Sequence, residues 1–131
     1  MRIRGRRIVG GYAEGEALIS PTPFSFYGGV DPETGVVTER GHPLEGESIV
    51  DRVFIFPHGK GSTVGCYILY RMRRRGTAPA AILNLETEVI IATGCAMAGI
   101  PLLDHLEVNP LEVIRGGDHV RVNADEGYVE I

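Results

Sequence analysis

The fold of this chain is decided by the stretch Phe54-Ile55-Phe56-Pro57-His58-Gly59-Lys60-Gly61-Ser62-Thr63-Val64-Gly65, in which an apolar, strand-like run ends in a glycine-rich turn. Helical spacing of apolar residues follows at once and predicts a helix over Thr63–Arg75, which Gly76 ends. The turn therefore places Ser62 at or near a helix start. Free backbone N–H groups at such a start attract anions and can stabilise a negatively charged oxygen.

The serine in this turn has two interpretations. In the first, Ser62 or Thr63 only caps the helix. In the second, Lys60, Gly61 and the helix N–H groups converge on one hydroxyl, where they can hold a carboxylate or phosphate and stabilise a serine alkoxide. The turn matches neither the nucleophile elbow G-x-S-x-G nor the P-loop G-x-x-x-x-G-K-[ST]. Ser62 is our candidate catalytic residue, and Lys60, Gly61 and Thr63 are candidate substrate-binding residues.

A second candidate segment is Ser25-Phe26-Tyr27-Gly28-Gly29-Val30-Asp31-Pro32-Glu33-Thr34-Gly35. Its paired glycines allow a ligand or another backbone to approach closely. Asp31 is held extended by the proline that follows it, and its carboxylate either contacts substrate or bonds its own turn. Gly29 and Asp31 are therefore further candidate substrate-binding residues. We expect the glycine-rich tip of this loop to lie near Ser62 and to face a partner.

Size and composition indicate one ordinary globular domain, residues 1–131. Hydrophobic residues make up 44% of the 131 positions, which is enough for a core, and 18 glycines predict many tight turns. A net charge of −4 argues against nucleic acid as a partner. The sequence has neither a signal peptide nor an apolar run near the ~20 residues of a membrane span. We therefore expect a soluble, cytoplasmic protein.

The cysteines and histidines do not predict a metal site. Cys66 and Cys95 are 29 positions apart, which is neither a zinc spacing nor a CxxC redox pair, and we expect buried free thiols. No two histidines form an H-x-x-x-H pair. His58 shares the loop of Ser62, where it is either a surface residue or a catalytic one.

The order of the predicted elements indicates a mixed α/β fold. A long turn-rich stretch, Pro21–Gly46, contains aromatic residues that give it something to bury, so we expect it to be ordered and functional. Strands are predicted at Gly5–Val9, Ala17–Ser20, Ser48–Phe56, Ala80–Leu83 and Leu102-Leu103, with a C-terminal hairpin of His119–Val122 and Tyr128–Ile131.

A second helix is predicted over Glu88–Ala98, with Asn84 or Thr87 as its cap. Its apolar periodicity is poor, so a strand at Val89–Ile91 stays open. The β-rich ends enclose a central β-α-β-α unit. This order predicts a parallel pair of strands with helices packed on a β-barrel-like body.

Three motifs in this order resemble the small subunit of the aconitase X family. They are the Ser25–Gly35 segment, then His42-Pro43-Leu44-Glu45-Gly46, then Pro57-His58-Gly59-Lys60-Gly61-Ser62-Thr63-Val64-Gly65. Residues 94–101 and 117–120 also resemble that family. The resemblance therefore covers nearly the whole chain, and the ordered set is more specific than any one motif.

The resemblance implies the swivelling β/β/α domain of aconitase-like enzymes and a role as the smaller subunit of a two-chain hydro-lyase. In archaeal members of this size, the complex removes water from mevalonate 5-phosphate to give trans-anhydromevalonate 5-phosphate in a modified mevalonate pathway. The large subunit carries a [4Fe-4S] cluster whose open iron takes the leaving hydroxyl, and none is expected in this chain. The family's catalytic serine falls on Ser62, as the base for the proton α to the carboxylate.

The chain departs from aconitase itself after the serine. There an arginine that binds the substrate carboxylate follows, whereas Thr63 and Val64 stand here. Lys60 or the large subunit would then supply that charge. Three alternatives stay open: a dehydratase subunit for another hydroxy acid such as cis-3-hydroxyproline, a non-catalytic anion-binding module, and, through His58, a phosphohistidine domain like those of phosphoenolpyruvate-using enzymes.

Overall fold

Eight strands form one mixed sheet in the computed structural model, which describes residues 1–131. The strands are β1 Arg2–Arg4, β2 Arg6–Val9, β3 Tyr12–Ile19, β4 Val53–Phe56, β5 Ala81–Asn84, β6 Leu102–Asp104, β7 His119–Asn123 and β8 Tyr128–Glu130. The helices are α1 Phe26–Gly29, α2 Gly65–Arg75, α3 Val89–Ala98 and α4 Pro110–Val113. None of them combines the length and apolar character that crossing a bilayer requires.

The middle of the sheet is a parallel unit that places both long helices on one face. Strands β3, β4, β5 and β6 pair in parallel in that order, and α2 and α3 connect successive strands. Because such crossovers are right-handed, both helices lie on the same side of the sheet. The core between the two helices and the sheet includes Phe54, Phe56, Leu69, Met72 and Ile91. Both helices therefore begin beyond the carboxyl ends of β4 and β5, the edge where α/β sheets bind ligands.

The chain itself joins the two edges of the sheet and curls it into a barrel-like body. β1 pairs antiparallel with β8 and β2 with β6, and only Gly5 separates β1 from β2. A Cβ at Gly5 would lie 2.9 Å from the Asp104 carbonyl oxygen and would overlap Leu106, so this corner requires glycine. A second core, which includes Val53, Ile55 and the buried valines of β7 and β8, lies inside the barrel-like body, on the face of the sheet opposite α2 and α3.

The predicted fold class, a β-barrel-like body carrying a central β-α-β-α unit, is confirmed. Individual boundaries differ. The predicted strand Ser48–Phe56 is shortened to β4 because the Arg52 N–H donates to the Ile49 carbonyl at 3.2 Å in a turn where Asp51 has φ of 56°. The predicted strand Gly5–Val9 is broken at its first residue by the barrel corner, and β3 begins earlier than predicted, at Tyr12.

The second predicted helix is confirmed as α3, and the alternative strand at Val89–Ile91 is wrong. The predicted cap residue is also wrong. The Glu88 carboxylate caps the helix, because its oxygens accept from the N–H groups of Ile91 at 2.8 Å and Ile90 at 2.9 Å. Two carboxylate oxygens satisfy two free N–H groups of the first turn and add a favourable charge there.

An ion pair between the half-exposed Arg6 and the buried Asp104 holds the barrel to the segment before α3. The Arg6 guanidinium donates to both carboxylate oxygens of Asp104 at 2.9 Å, and the Thr87 N–H donates at 2.8 Å. Burial raises the pKa of the Asp104 carboxyl, but the bonds from Arg6 and Thr87 together outweigh burial and hold the pKa below its usual value. The folded chain therefore stabilises the ionised form of Asp104.

We expect Asp104→Asn to lower the free energy of unfolding by about 1 to 3 kcal/mol at pH 7. A lowered folded-state pKa contributes stability above the unfolded value near 3.9 and loses it as the pH falls through the folded value. Urea unfolding at pH 7 and pH 3 should therefore show a smaller difference between parent and variant at pH 3. Glu130→Gln, at an exposed pair with Arg2, is the control and should cost under about 1 kcal/mol. A difference for Asp104→Asn that is the same at both pH values would contradict this assignment.

Candidate active site

Backbone hydrogen bonds to the segment before α1 hold the serine turn in place. The Phe24 N–H donates to the His58 carbonyl at 3.1 Å, and the Lys60 N–H donates to the Phe24 carbonyl at 3.1 Å. The Phe24 ring is fully buried, with centroids 5.1 Å from Phe26 and 5.0 Å from Phe54. The aromatic core thus holds the backbone that leads into Ser62.

Ser62 lies just before α2 with its hydroxyl turned onto the helix start. Its Oγ accepts from the Val64 N–H at 3.2 Å, and its carbonyl accepts from the Gly65 N–H at 3.0 Å. The N–H groups of Gly61, Ser62 and Thr63 donate to no acceptor within the chain. The predicted cap is wrong, because the helix begins at Gly65 with Val64 at the N-cap position and has no side-chain cap. The Ser62 hydroxyl forms a local serine turn just before it. Unpaired N–H groups beside one hydroxyl make this turn suited to an anionic group.

Gly61 is required by the geometry of this turn. Its φ is +88°, and a Cβ there would lie 2.5 Å from the Ser25 hydroxyl oxygen. Gly65 lets α3 approach, because a Cβ there would lie 3.3 Å from Ile90 Cγ2, while Phe26 is in ordinary contact distance at 3.8 Å. The residues Ser25–Tyr27 at the start of the glycine-rich loop therefore lie against the serine turn and the start of α2. Sequence reasoning had not identified Ser25, whose only signal was its place at the head of the first motif.

Lys60 is the only lysine in the chain. Its side chain is exposed and forms no ion pair or hydrogen bond with another group of the chain. An unpaired ammonium two residues from Ser62 is available to an anionic ligand.

The structure does not bring Asp31 to Ser62. Asp31 bonds its own turn, with its Oδ1 accepting from the Glu33 N–H at 2.9 Å. Glu33 pairs with Arg71 and Arg75, which lie in the last part of α2. Because 11 residues of helix span about 16 Å, the Asp31 turn lies toward the opposite end of α2 from Ser62. The expected position of Asp31 is therefore corrected, and substrate contact by its carboxylate stays a prediction.

Neither Gly29 nor His58 forms a hydrogen bond with the serine hydroxyl. Gly29 is buried, and a Cβ there would lie 3.3 Å from the Phe24 ring. It therefore supports the loop by close packing, and a contact with substrate stays a prediction. The exposed His58 ring forms a hydrogen bond with the Gly59 carbonyl through Nδ1 at 2.7 Å and forms none with Ser62.

An open, mostly apolar cleft of about 310 Å³ lies next to the turn, between the starts of α2 and α3. It is lined by Thr63, Val64, Cys66, Tyr67, Val89, Ile90 and Thr93. Gly59 allows α3 to come this close, because a Cβ there would lie 2.6 Å from Ile91 Cγ1. The sequence reasoning did not predict that α3 lines this cleft. The feature that could have indicated it is the poor apolar periodicity of α3.

The side chains of this chain do not fit an iron–sulfur cluster. No group of three or more His, Cys, Asp or Glu side chains is arranged to hold a metal ion. Both cysteines are buried free thiols, as predicted. The Cys66 thiol donates to the Thr63 carbonyl at 3.1 Å, and complete burial raises the pKa of Cys95 far above its usual value. Neither is therefore an exposed thiolate ligand.

Three comparisons with known proteins agree with one another. A family model described as the aconitase X swivel domain matches residues 2–131. The phosphomevalonate dehydratase small subunit of Methanosarcina acetivorans is 53% identical over 100% of this chain and 91% of that relative. The protein of the same name from Thermococcus gammatolerans is 50% identical over 100% of this chain and 98% of that relative.

Two solved structures share the fold of this chain. The crystal structure of Thermococcus kodakaraensis aconitase X in its holo form superposes with a TM-score of 0.94 at 46% identity, covering 100% of this chain and 98% of that one. The solution structure of a UPF0107 protein superposes with a TM-score of 0.91 at 50% identity, with the same coverage.

Proposed function

The chain belongs to the aconitase X swivel domain family, and on that premise we propose that it is the small subunit of a phosphomevalonate dehydratase, a two-chain hydro-lyase. The observation that carries this proposal is an identity of 45% to 53% along the full chain with relatives of that name. As a small subunit, the chain works together with a larger one.

In the proposed reaction, mevalonate 5-phosphate loses water to give trans-anhydromevalonate 5-phosphate. The C–H bond next to the carboxylate breaks, and its electron pair forms the new double bond. The hydroxyl on the neighbouring carbon leaves with the electron pair of its C–O bond and becomes water by taking up a proton from solvent. The proton that Ser62 gains returns to solvent, which restores the alkoxide. Ser62, as the alkoxide, accepts the proton from carbon. Positioned bases of this kind contribute about 10²- to 10⁴-fold to rate.

The turn around Ser62 supports this role because it favours negative charge on the serine oxygen. The Val64 N–H already donates to that oxygen at 3.2 Å. The start of α2 and the unpaired Lys60 ammonium add positive potential. We further propose that Lys60 and the free N–H groups of Gly61 and Thr63 hold an anionic group of the substrate, either its carboxylate or its phosphate.

The proposed partner is a large aconitase X-type subunit that holds the [4Fe-4S] cluster. The side chains of this chain do not fit such a group. When bound in the partner, the cluster would supply a Lewis acid for the leaving hydroxyl.

The proposal is tested by assaying the purified two-chain complex on mevalonate 5-phosphate under anaerobic conditions. We expect a product lighter by one water from the complex and none from either chain alone. Dehydration of cis-3-hydroxyproline in place of mevalonate 5-phosphate would support the other hydroxy-acid reading and overturn this one. Binding of phosphate by the complex without dehydration of either compound would favour a non-catalytic anion-binding module.

A further inference from the structure

Helix α3 lacks the polar outer face that a surface helix normally carries. Its sequence, VIIATGCAMA, contains no charged residue. Ile91, Gly94, Cys95 and Ala98 are buried against this chain, while the opposite face is open to solvent. Val89 on that face is 72% exposed and Met97 is 40% exposed. A helix that is apolar all round is normally buried on all sides.

The open face of α3 is continuous with the start of α2. Tyr67 is 63% exposed there and lines the cleft together with Val64, Val89 and Ile90. We call this surface the α2–α3 face and define it as Val64, Tyr67, Val89, Ile90, Thr93 and Met97. The large exposed apolar side chains elsewhere are Met1, Tyr12, Val108 and Val113, with Tyr27 and Tyr70 on the neighbouring elements α1 and α2. Clustering of this kind marks an interaction site.

We propose that the α2–α3 face is the surface that docks the large subunit. This inference rests on the proposed function, in which Ser62 completes a site whose other groups belong to that subunit. Thr63 and Val64 line the cleft and directly follow Ser62. A partner that reaches substrate held at Ser62 must therefore approach along this edge of the molecule. A stable interface buries about 800 Å² per partner, which is more than the cleft alone offers, so the contact extends along α3.

The charge of the surface indicates the chemistry of the partner surface. Neither α2 nor α3 contains an aspartate or glutamate, although the whole chain has a net charge of −4. Lys60 lies three residues before Thr63 in the sequence, and the Arg74 guanidinium on α2 lies 5.8 Å from the Tyr70 ring centre. The Glu88 carboxylate, which directly precedes Val89, accepts bonds from the first N–H groups of α3. The matching surface of the large subunit is therefore apolar and flanked by carboxylates. A second copy of this chain would instead bring like charges together.

The test measures binding of the full chain to the purified large subunit by isothermal titration calorimetry. Val89→Arg and Met97→Arg replace exposed side chains, so each variant should keep the parental melting temperature. Each should raise the Kd for the large subunit by at least roughly tenfold, because an arginine would be buried among apolar groups. Val113→Arg is the matched control, since Val113 is 36% exposed on α4, which packs with the barrel-side core. Its Kd should equal that of the parent.

Parental Kd values for both α3 variants would overturn the proposal. So would a parental chain that self-associates through this face, with variants that become monomeric yet bind the large subunit as the parent does. The mevalonate 5-phosphate assay on the parental complex separates this proposal from the proposed function. If the variants lose binding but the parental complex dehydrates nothing, the docking surface stands and the enzymatic assignment fails.

Discussion

Replacing Ser62 with alanine should lower kcat of the assembled dehydratase by about 10³-fold, in the middle of the range for a positioned general base. The alanine removes the oxygen that accepts the substrate proton and leaves the backbone N–H groups of the turn in place. KM for mevalonate 5-phosphate should change little, because Lys60 and those N–H groups remain. Steady-state kinetics of the two-chain complex measures both constants.

Ser48→Ala is a closely matched control for Ser62→Ala. The Ser48 Oγ accepts from the N–H two residues further on, at the same 3.2 Å as in the Ser62 turn. Loss of the local bond should cost both variants similar stability, about 1 kcal/mol. Only Ser62→Ala should lose turnover. If the two variants keep equal kcat, Ser62 is a structural turn residue and the base lies elsewhere.

Truncating Phe24 should produce the largest loss of stability. We expect Phe24→Ala to lower the free energy of unfolding of the chain by about 3 to 5 kcal/mol. The ring is fully buried and contacts Phe26, Phe54 and His42, the last at a centroid distance of 5.5 Å. The backbone of the same residue holds His58 and Lys60 in place. The turnover of any folded complex should therefore fall as well. Chemical denaturation followed by circular dichroism measures the stability.

Tyr27→Ala serves as the control for Phe24→Ala because it removes an exposed aromatic ring from the same segment. Its effect on unfolding should stay within about 0.5 kcal/mol. If Phe24→Ala does not fold, Phe24→Leu should fold with a smaller loss in the same direction. A denaturation midpoint for Phe24→Leu equal to that of the parent would refute the role of this ring.

The serine turn and the fold class were predictable because their signals are local. An apolar run, a glycine-rich turn and a helical period occur within Val53–Arg75, and each element forms close to where its own residues indicate. Gly76 ends α2 in the left-handed conformation that its sequence position predicted. Local propensity and tertiary packing agree in this part of the chain.

The remaining misses come from contacts between distant residues. Asp31 was expected near Ser62, but Glu33 is drawn to Arg71 and Arg75, an ion pairing that no local pattern reveals. The poor periodicity of α3 left a strand open because the helix is apolar on both faces. If the large subunit covers the outer face, that ambiguity has a physical cause, since periodicity reports burial on one side only.

During synthesis, the barrel cannot close until β8 has left the ribosome. β1 finds its partner only in Tyr128–Glu130, so at about 5 to 20 residues per second the first strand waits unpaired for roughly 6 to 25 seconds. An unpaired strand edge is a template for aggregation, and charged side chains are how proteins guard one. The waiting strand β1 carries Arg2 and Arg4, and β2, which waits for β6, carries Arg6 and Arg7. We expect these arginines to keep the unpaired edges of the nascent chain from aggregating until the barrel closes at Gly5.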